Sequence, residues 1–249
     1  MSDSVFNAYG RYYDLLYRDK DYGTEAGYVQ GLLAHHGVVR GELLEFGSGT
    51  GKHGGLLAAT GYTVHGIELS AEMVAGAEIV QGFSCQRGDI AYVKMGKTFD
   101  AVLSLFHVIS YQTTNSQLQA VFLNAAEHLA PGGLFLFDFW YSPAVFAQGA
   151  SVRVKRMVDA DVEITRLAEP TIFQNENRVD VHYTMFVRNV ASGSVQVFKE
   201  VHPMRHFSLP EIDLLAEING FERIQAEEFL TGNEPTPGTW GVCVVLRKG

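Results

Sequence analysis

Between residues 43 and 139 short apolar runs alternate with amphipathic stretches. The runs are Leu43, Leu44 and Phe46, then Thr63–Glu68, Phe83–Asp89, Phe99–Phe106 and Leu134–Phe139. The first and fourth read as buried strands and the others as short strands. The intervening stretches carry apolar residues at helical spacing. One helix begins near His53, a second is capped by Ser70 and carries Met73 and Val74, and a third presents Leu118, Val121, Phe122, Ala125 and Leu129 until Pro131-Gly132-Gly133 stops it. An earlier helix carries Tyr22, Ala26, Val29 and Leu33. Strand–helix alternation of this kind predicts an α/β fold with a doubly wound parallel sheet.

The period changes after Trp140. Segments such as R-V-D-V-H-Y-T-M-F-V and V-Q-V-F-K-E-V-H alternate apolar and polar residues up to Phe207, which predicts an antiparallel sheet with one wet face. A turn at residues 188–194, rich in Asn, Ser and Gly, joins two of its strands. Ser208-Leu209-Pro210-Glu211 then reads as a capping box opening a helix with Ile212, Leu215 and Ala216, ended by Gly220. Phe221–Phe229 and Trp240–Arg247 supply two last strands. The expected division is a Rossmann-like unit from 1–145 and 208–249, with an inserted antiparallel sheet at 146–207 covering the cleft.

Composition narrows the function classes. The chain of 249 residues is 47% apolar and 19% charged, enough to bury a full core. A net charge of −9 offers no basic field for nucleic acid. Cys85 and Cys243 have no metal or disulfide spacing, and no histidine has convincing metal spacing with acidic partners. Met1 to Phe6 contains no export signal, and no apolar run approaches the roughly 18 residues of a membrane span. A cytoplasmic protein, monomer or homodimer, acting on a small molecule is the expectation.

The candidate chemistry begins at L-L-E-F-G-S-G-T-G, residues 43–51. Gly47, Gly49 and Gly51 form a tight loop at the carboxyl end of the first strand, where open α/β sheets bind ligands. Lys52 occupies the place where a dinucleotide fingerprint has its third glycine, and Gly51-Lys52-His53 lacks the hydroxyl of a phosphate loop. Glu45 would repel a phosphate but could accept from a cationic amino group. Glu68, 21 positions after Gly47, stands where a carboxylate accepts ribose hydroxyls. Tyr9, Tyr12, Tyr13 and Tyr17 form an aromatic arm, which is either core packing or a lid whose rings cover a sulfonium.

This motif order resembles the class I S-adenosylmethionine-dependent methyltransferases over nearly the whole chain. The resemblance implies a mostly parallel seven-stranded sheet and S-adenosyl-L-methionine as cofactor. It implies cofactor contacts from Tyr13, His53, Leu69, Met73 and Leu105 beside the glycine loop, Glu45 and Glu68. It places Asp89 and Ile90 at the adenine ring. A narrower likeness lies in R-Y-Y-D-L-L-Y, F-G-S-G-T-G-K-H, G-I-E-L-S-A-E-M and D-F-W-Y-S-P-A-V-F. These are similar to the N,N-dimethyltransferases of nucleotide-linked deoxyamino sugars, which also carry an antiparallel sheet over the active site.

Those enzymes have a histidine where this chain has Tyr111, and His107 stands four residues earlier. His107, Tyr111 and His182 are therefore candidate bases, each with a core or surface role as the alternative, while His202 and His206 could line the insert or face solvent. Tyr17, Trp140, Tyr141 and His182 are the expected acceptor contacts, with Trp140 toward the acceptor and Tyr141 packed under the insert. Two rival readings remain: an NAD-type oxidoreductase, disfavoured by Lys52, and a cofactor-binding protein without turnover. Within the methyltransferase reading, the acceptor is the amine of a nucleotide-linked sugar or another small amine or hydroxyl.

Overall fold

The structure, a computed structural model, describes Gly10 and residues 12–249; Tyr9 and the segment from Met1 to Phe6 lie outside the described residues. Strands β1 (Glu42–Phe46), β2 (Thr63–Glu68), β3 (Phe83–Arg87), β4 (Phe99–Ser104) and β5 (Leu129–Trp140) pair in parallel. The chain ends on β10 (Phe221–Glu228) and β11 (Gly241–Lys248), which join the same sheet antiparallel. The seven-stranded order is β10-β11-β5-β4-β1-β2-β3. The expected doubly wound, mostly parallel sheet is therefore present, and the strand order reverses beside β1, where its ligand crevice opens.

Helices cover both faces. They are α1 (Tyr13–Leu16), α2 (Tyr22–His35), α3 (Lys52–Ala59), α4 (Ala71–Gly76), α5 (Asn115–Glu127), α6 (Ser142–Gln148) and α7 (Leu209–Ile218). One core, between the sheet and α5 and α7, centres on the fully buried Phe122, Phe135, Phe137 and Phe139. Each such ring contributes roughly 1.5–3 kcal/mol of burial. The other core joins Val29 and Leu33 of α2 to Leu43, Val64 and Leu103. Two-sided burial is why β1, β4 and β11 are largely apolar, whereas the edge strand β3 is polar and mostly exposed.

The second sheet is β6 (Arg153–Val158), β7 (Val162–Phe173), β8 (Arg178–Asn189) and β9 (Val195–Arg205), wholly antiparallel in that order. It packs Ile164, Met185 and Val187 onto Leu16 of α1, and Val179, Val181 and Met204 onto Tyr111 and Trp140. Among the described residues no helix is long and apolar enough to cross a membrane.

Two local expectations need correction. Pro131-Gly132-Gly133 does not stop a helix; α5 has already ended at Glu127, and the tripeptide lies within β5. There the register with β4 jumps from the Phe99–Leu129 pair to the Ala101–Leu134 pair. A residue without an N–H and a glycine at φ +82° suit that irregularity. Ser208 makes no side-chain cap, because Arg205 holds Glu211 at 2.5 Å and removes the reciprocal partner. The capping box is instead Thr114 with Gln117, at the start of α5.

Candidate active site

The carboxyl ends of the five parallel strands open into one cavity beneath the second sheet. Its empty space, counting the open mouth, is ≈ 1110 Å³.

The end nearest β1 and β2 is mostly backbone. The N–H groups of Gly47 and Ser48 donate to the Ile67 carbonyl at 2.8 and 3.1 Å, which pins the glycine loop onto β2. Gly47 is at φ +73°, and a Cβ there would stand 2.5 Å from Val108, so no side chain fits. A Cβ on Gly49 would meet nothing closer than the Met73 sulfur at 3.9 Å, which leaves an open cradle facing the cavity. Glu68 is buried beside that cradle; it accepts from the N–H of Gly49 at 3.0 Å and of Ser70 at 2.8 Å. Burial raises its pKa above the usual carboxylate value. A carboxylate has about four acceptor sites, so Glu68 keeps capacity for ribose hydroxyls. Asp89 accepts from the Ala91 N–H at 2.9 Å, and Leu69, Met73, Ile90 and Leu105 supply apolar wall. Two carboxylates, a bare loop and an apolar slot are the donor set that an adenosyl sulfonium fits.

Helix α1 crosses this loop. Asp14 accepts from the Thr50 hydroxyl at 2.7 Å and lies 3.4 Å from Lys52 Nζ. Tyr13 and Tyr17 both line the cavity, their ring centres 4.8 Å apart, and Tyr17 meets Phe106 edge-on. His53 lines it too, held by Glu25 at 2.8 Å and by the edge of Tyr22.

The opposite end is built from side chains. Phe106 and His107 take φ +61° and +62°, two consecutive non-glycine residues in the left-handed region. Such residues cost of order 1–3 kcal/mol each and persist only where their surroundings impose them. Here Asp138, wholly buried on β5, accepts from the His107 N–H at 3.2 Å and lies 2.6 Å from its ring Nδ1. Trp140 stands edge-on to His107 and to Trp240. The second sheet closes this end with Tyr183, His202 and Met204, and Tyr111 bonds His202 across the seam at 2.9 Å.

Four expected contacts are not on the cavity wall. Glu45 is buried under the floor against Gly54 of α3; burial, reinforced by the charge of Glu68, pushes its pKa up to about 8. Burial thus favours its neutral form, and it is not part of the cavity wall. Gly51 turns the chain at φ +81° into α3, where a Cβ would stand 2.4 Å from Phe83; its role is close packing. Tyr141 bridges to Phe207 and packs on the main core. His182 is exposed on the outer face of β8, because strand alternation turns its neighbour Tyr183 inward.

Sequence reasoning passed over Asp138 and Met204, and left His202 between lining the insert and facing solvent. Asp138 had a signal: it is the one charge within the apolar run L-F-L-F-D-F-W. His202 and Met204 share one face of β9, so period two relates them, but only the packing of the second sheet says which face is inward.

Comparisons with known proteins agree with this geometry. A family model described as a methyltransferase domain matches residues 43–133. A dTDP-3-amino-3,4,6-trideoxy-alpha-D-glucopyranose N,N-dimethyltransferase of Streptomyces venezuelae is 31% identical over 81% of this chain and 84% of its own. A dTDP-4-amino-2,3,4,6-tetradeoxy-D-glucose N,N-dimethyltransferase of Saccharopolyspora spinosa is 31% identical over 95% of this chain and 91% of its own. The solved structure of an amino pentose methyltransferase from Micromonospora echinaspora, with S-adenosylmethionine bound, superimposes with a TM-score of 0.77 at 25% identity and full coverage of both chains. With relatives matched along most of their length and a cavity whose glycine cradle, Glu68 and Asp89 suit an adenosyl group, the chain belongs to the S-adenosylmethionine-dependent methyltransferases and takes S-adenosylmethionine as its cofactor.

Proposed function

We propose that the acceptor is the amine of a nucleotide-linked amino sugar and that methylation occurs where Trp140, His107 and Tyr111 meet the second sheet. The observation that carries this reading is the polar lining of that end. His107, Tyr111 and His202 share the cavity with Trp140 and Tyr183, so proton-handling groups stand beside aromatic faces suited to a sugar ring. The relatives named as dimethyltransferases of dTDP-amino sugars support the same acceptor class.

When bound, the cofactor supplies a sulfonium methyl with a neutral thioether as leaving group. The protein's task is then mainly proximity and alignment. Glu68 and the Gly47–Gly49 loop hold the ribose side, and Asp89 with Ile90 addresses the adenine. Tyr13 and Tyr17 cover the sulfonium and, with the Asp14 anchor on Thr50, exclude water. Trp140 and Met204 form the apolar seat of the acceptor. Asp138 fixes His107, and Tyr111 faces the acceptor nitrogen. Residues 146–207 act as the acceptor-binding unit on the 1–145 and 208–249 frame. A cytoplasmic monomer or homodimer accords with the free Cys85 and Cys243.

The test is a screen of nucleotide-linked amino sugars, simple amines and hydroxylated analogues with methyl-labelled S-adenosylmethionine. Label transfer to the amino sugars in preference to the others is expected. Transfer to hydroxyl acceptors alone would overturn the amine reading.

A further inference from the structure

We infer that Tyr111, His202 and Glu200 form a proton relay that takes the proton released by the acceptor amine, with Tyr111 as the catalytic residue and the two insert residues acting through it. This rests on the amine reading above.

The geometry assigns the direction. The Glu200 side chain, 7% exposed, stands 3.4 Å from His202 Nε2. A carboxylate only accepts, so Nε2 carries the ring proton and Nδ1 is the acceptor. Tyr111 Oη lies 2.9 Å from Nδ1 and therefore donates to it. His202 itself is 1% exposed. A phenolic oxygen that donates its hydrogen still has lone pairs with which to accept, and Tyr111 lines the cavity. An ammonium donating to that oxygen would thus meet a hydroxyl already committed as a donor to a base. His107, the other imidazole at this end, has its Nδ1 2.6 Å from the buried Asp138 carboxylate.

The balance is simple. An amino sugar arrives largely as R–NH3+ at neutral pH. One N–H bond breaks and its electron pair stays on nitrogen. That proton passes to Tyr111 Oη as the hydroxyl's own proton passes to His202 Nδ1. Tyr111 remains neutral, and the charge rests on an imidazolium beside the Glu200 carboxylate until a proton returns to solvent. The freed pair on nitrogen is the nucleophile for the methyl.

The local environment agrees. Burial holds the Tyr111 hydroxyl well above its ordinary pKa, so it transmits a proton without becoming a phenolate. Burial lowers the His202 pKa, with Glu200 pulling against it and Arg166 adding a smaller lowering, which favours the neutral ring that can accept. Among the described residues, the groups facing it include Glu200 on its own strand, Tyr183 on β8, Arg166 on β7 and Tyr111. The relay crosses the seam between the two sheets, so neither sheet alone contains it.

The test uses the full chain and the amino-sugar acceptor that the wild type methylates. Tyr111→Phe, His202→Gln and the double variant are compared at about pH 7 and about pH 9.5, the latter closer to an alkylamine's own pKa. S-adenosylhomocysteine affinity, read by calorimetry, reports folding. Each single variant should lose about ten- to a hundredfold in kcat at the lower pH, with little change in acceptor KM. The deficit should shrink at the higher pH, where free amine is supplied by solvent, and the double variant should be no worse than either single one. Tyr111→Phe removes one atom, so it remains informative if His202→Gln folds poorly. Undiminished kcat at pH 7, an equal deficit at both pH values, or additive losses would overturn the relay while leaving the amine reading intact. A wild type inert toward every amine would sink both.

Discussion

At the cofactor end of the cavity the wall is backbone and strand-end carboxylates drawn from consecutive βα units: Gly47–Thr50 after β1, Glu68 after β2, Asp89 after β3. At the acceptor end it is side chains from segments far apart in sequence: His107, Trp140, Tyr183 and His202. The first end is built by a rule of the fold, since a parallel strand that meets a helix delivers a turn to the same edge each time. The second is built by packing one sheet over another. The first can bind one ligand across many enzymes, whereas the second is where, on the proposed reading, a particular acceptor would be selected.

That contrast can be strained from the frame outward. Phe137→Ala, in the main core, should cost about 3–5 kcal/mol, while Phe186→Ala on the exposed face of the second sheet should stay within about 0.5 kcal/mol. Urea denaturation of both variants is the measurement; equal losses would mean the two sheets share one continuous core.

Glu68→Ala should separate the two ends functionally. It removes charge-assisted hydrogen bonds of roughly 1.5–3 kcal/mol each, so S-adenosylhomocysteine should bind at least about tenfold more weakly. An unchanged dissociation constant in calorimetry would remove Glu68 from the cofactor wall.

Glu45 tests the floor between them. Its folded pKa, about 8, is raised above the ordinary value of 4.5. A raised carboxyl favours the folded state fully below the unfolded pKa, and that contribution is lost as pH rises through the folded one. Wild-type stability should therefore decline between about pH 4.5 and 8, with a slope of at most about 1.4 kcal/mol per pH unit from this group. Glu45→Gln should flatten the decline, and parallel stability curves for the two proteins would contradict the assignment.

Trp140→Ala should act only at the acceptor end. Losing an aromatic contact of about 0.5–1.5 kcal/mol should raise the acceptor KM about two- to tenfold and leave cofactor affinity unchanged. A large fall in melting temperature with normal kinetics in the folded fraction would make Trp140 a core residue instead.

Hydrophobic period by itself determined the frame. Two-sided burial makes continuous apolar strands and one-sided burial makes alternating ones, so residues 43–139 and the stretch up to Phe207 announced a parallel and an antiparallel sheet before any coordinates. The glycine loop and Glu68 were legible for a related reason, each at a fixed offset from a strand end, whereas Asp89-Ile90 was legible only through the family resemblance; all of them line the cavity. Glu45 misled because an offset says where a residue stands, not which way it points; strand pleat turned its carboxyl under the floor toward Gly54. The same limit applied to His182 and His202, neighbours in register on β8 and β9 but on opposite faces. Only the docking of the second sheet decided that His202 meets Tyr111 and that His182 does not, because side-chain direction across a sheet seam depends on contacts that no local spacing encodes.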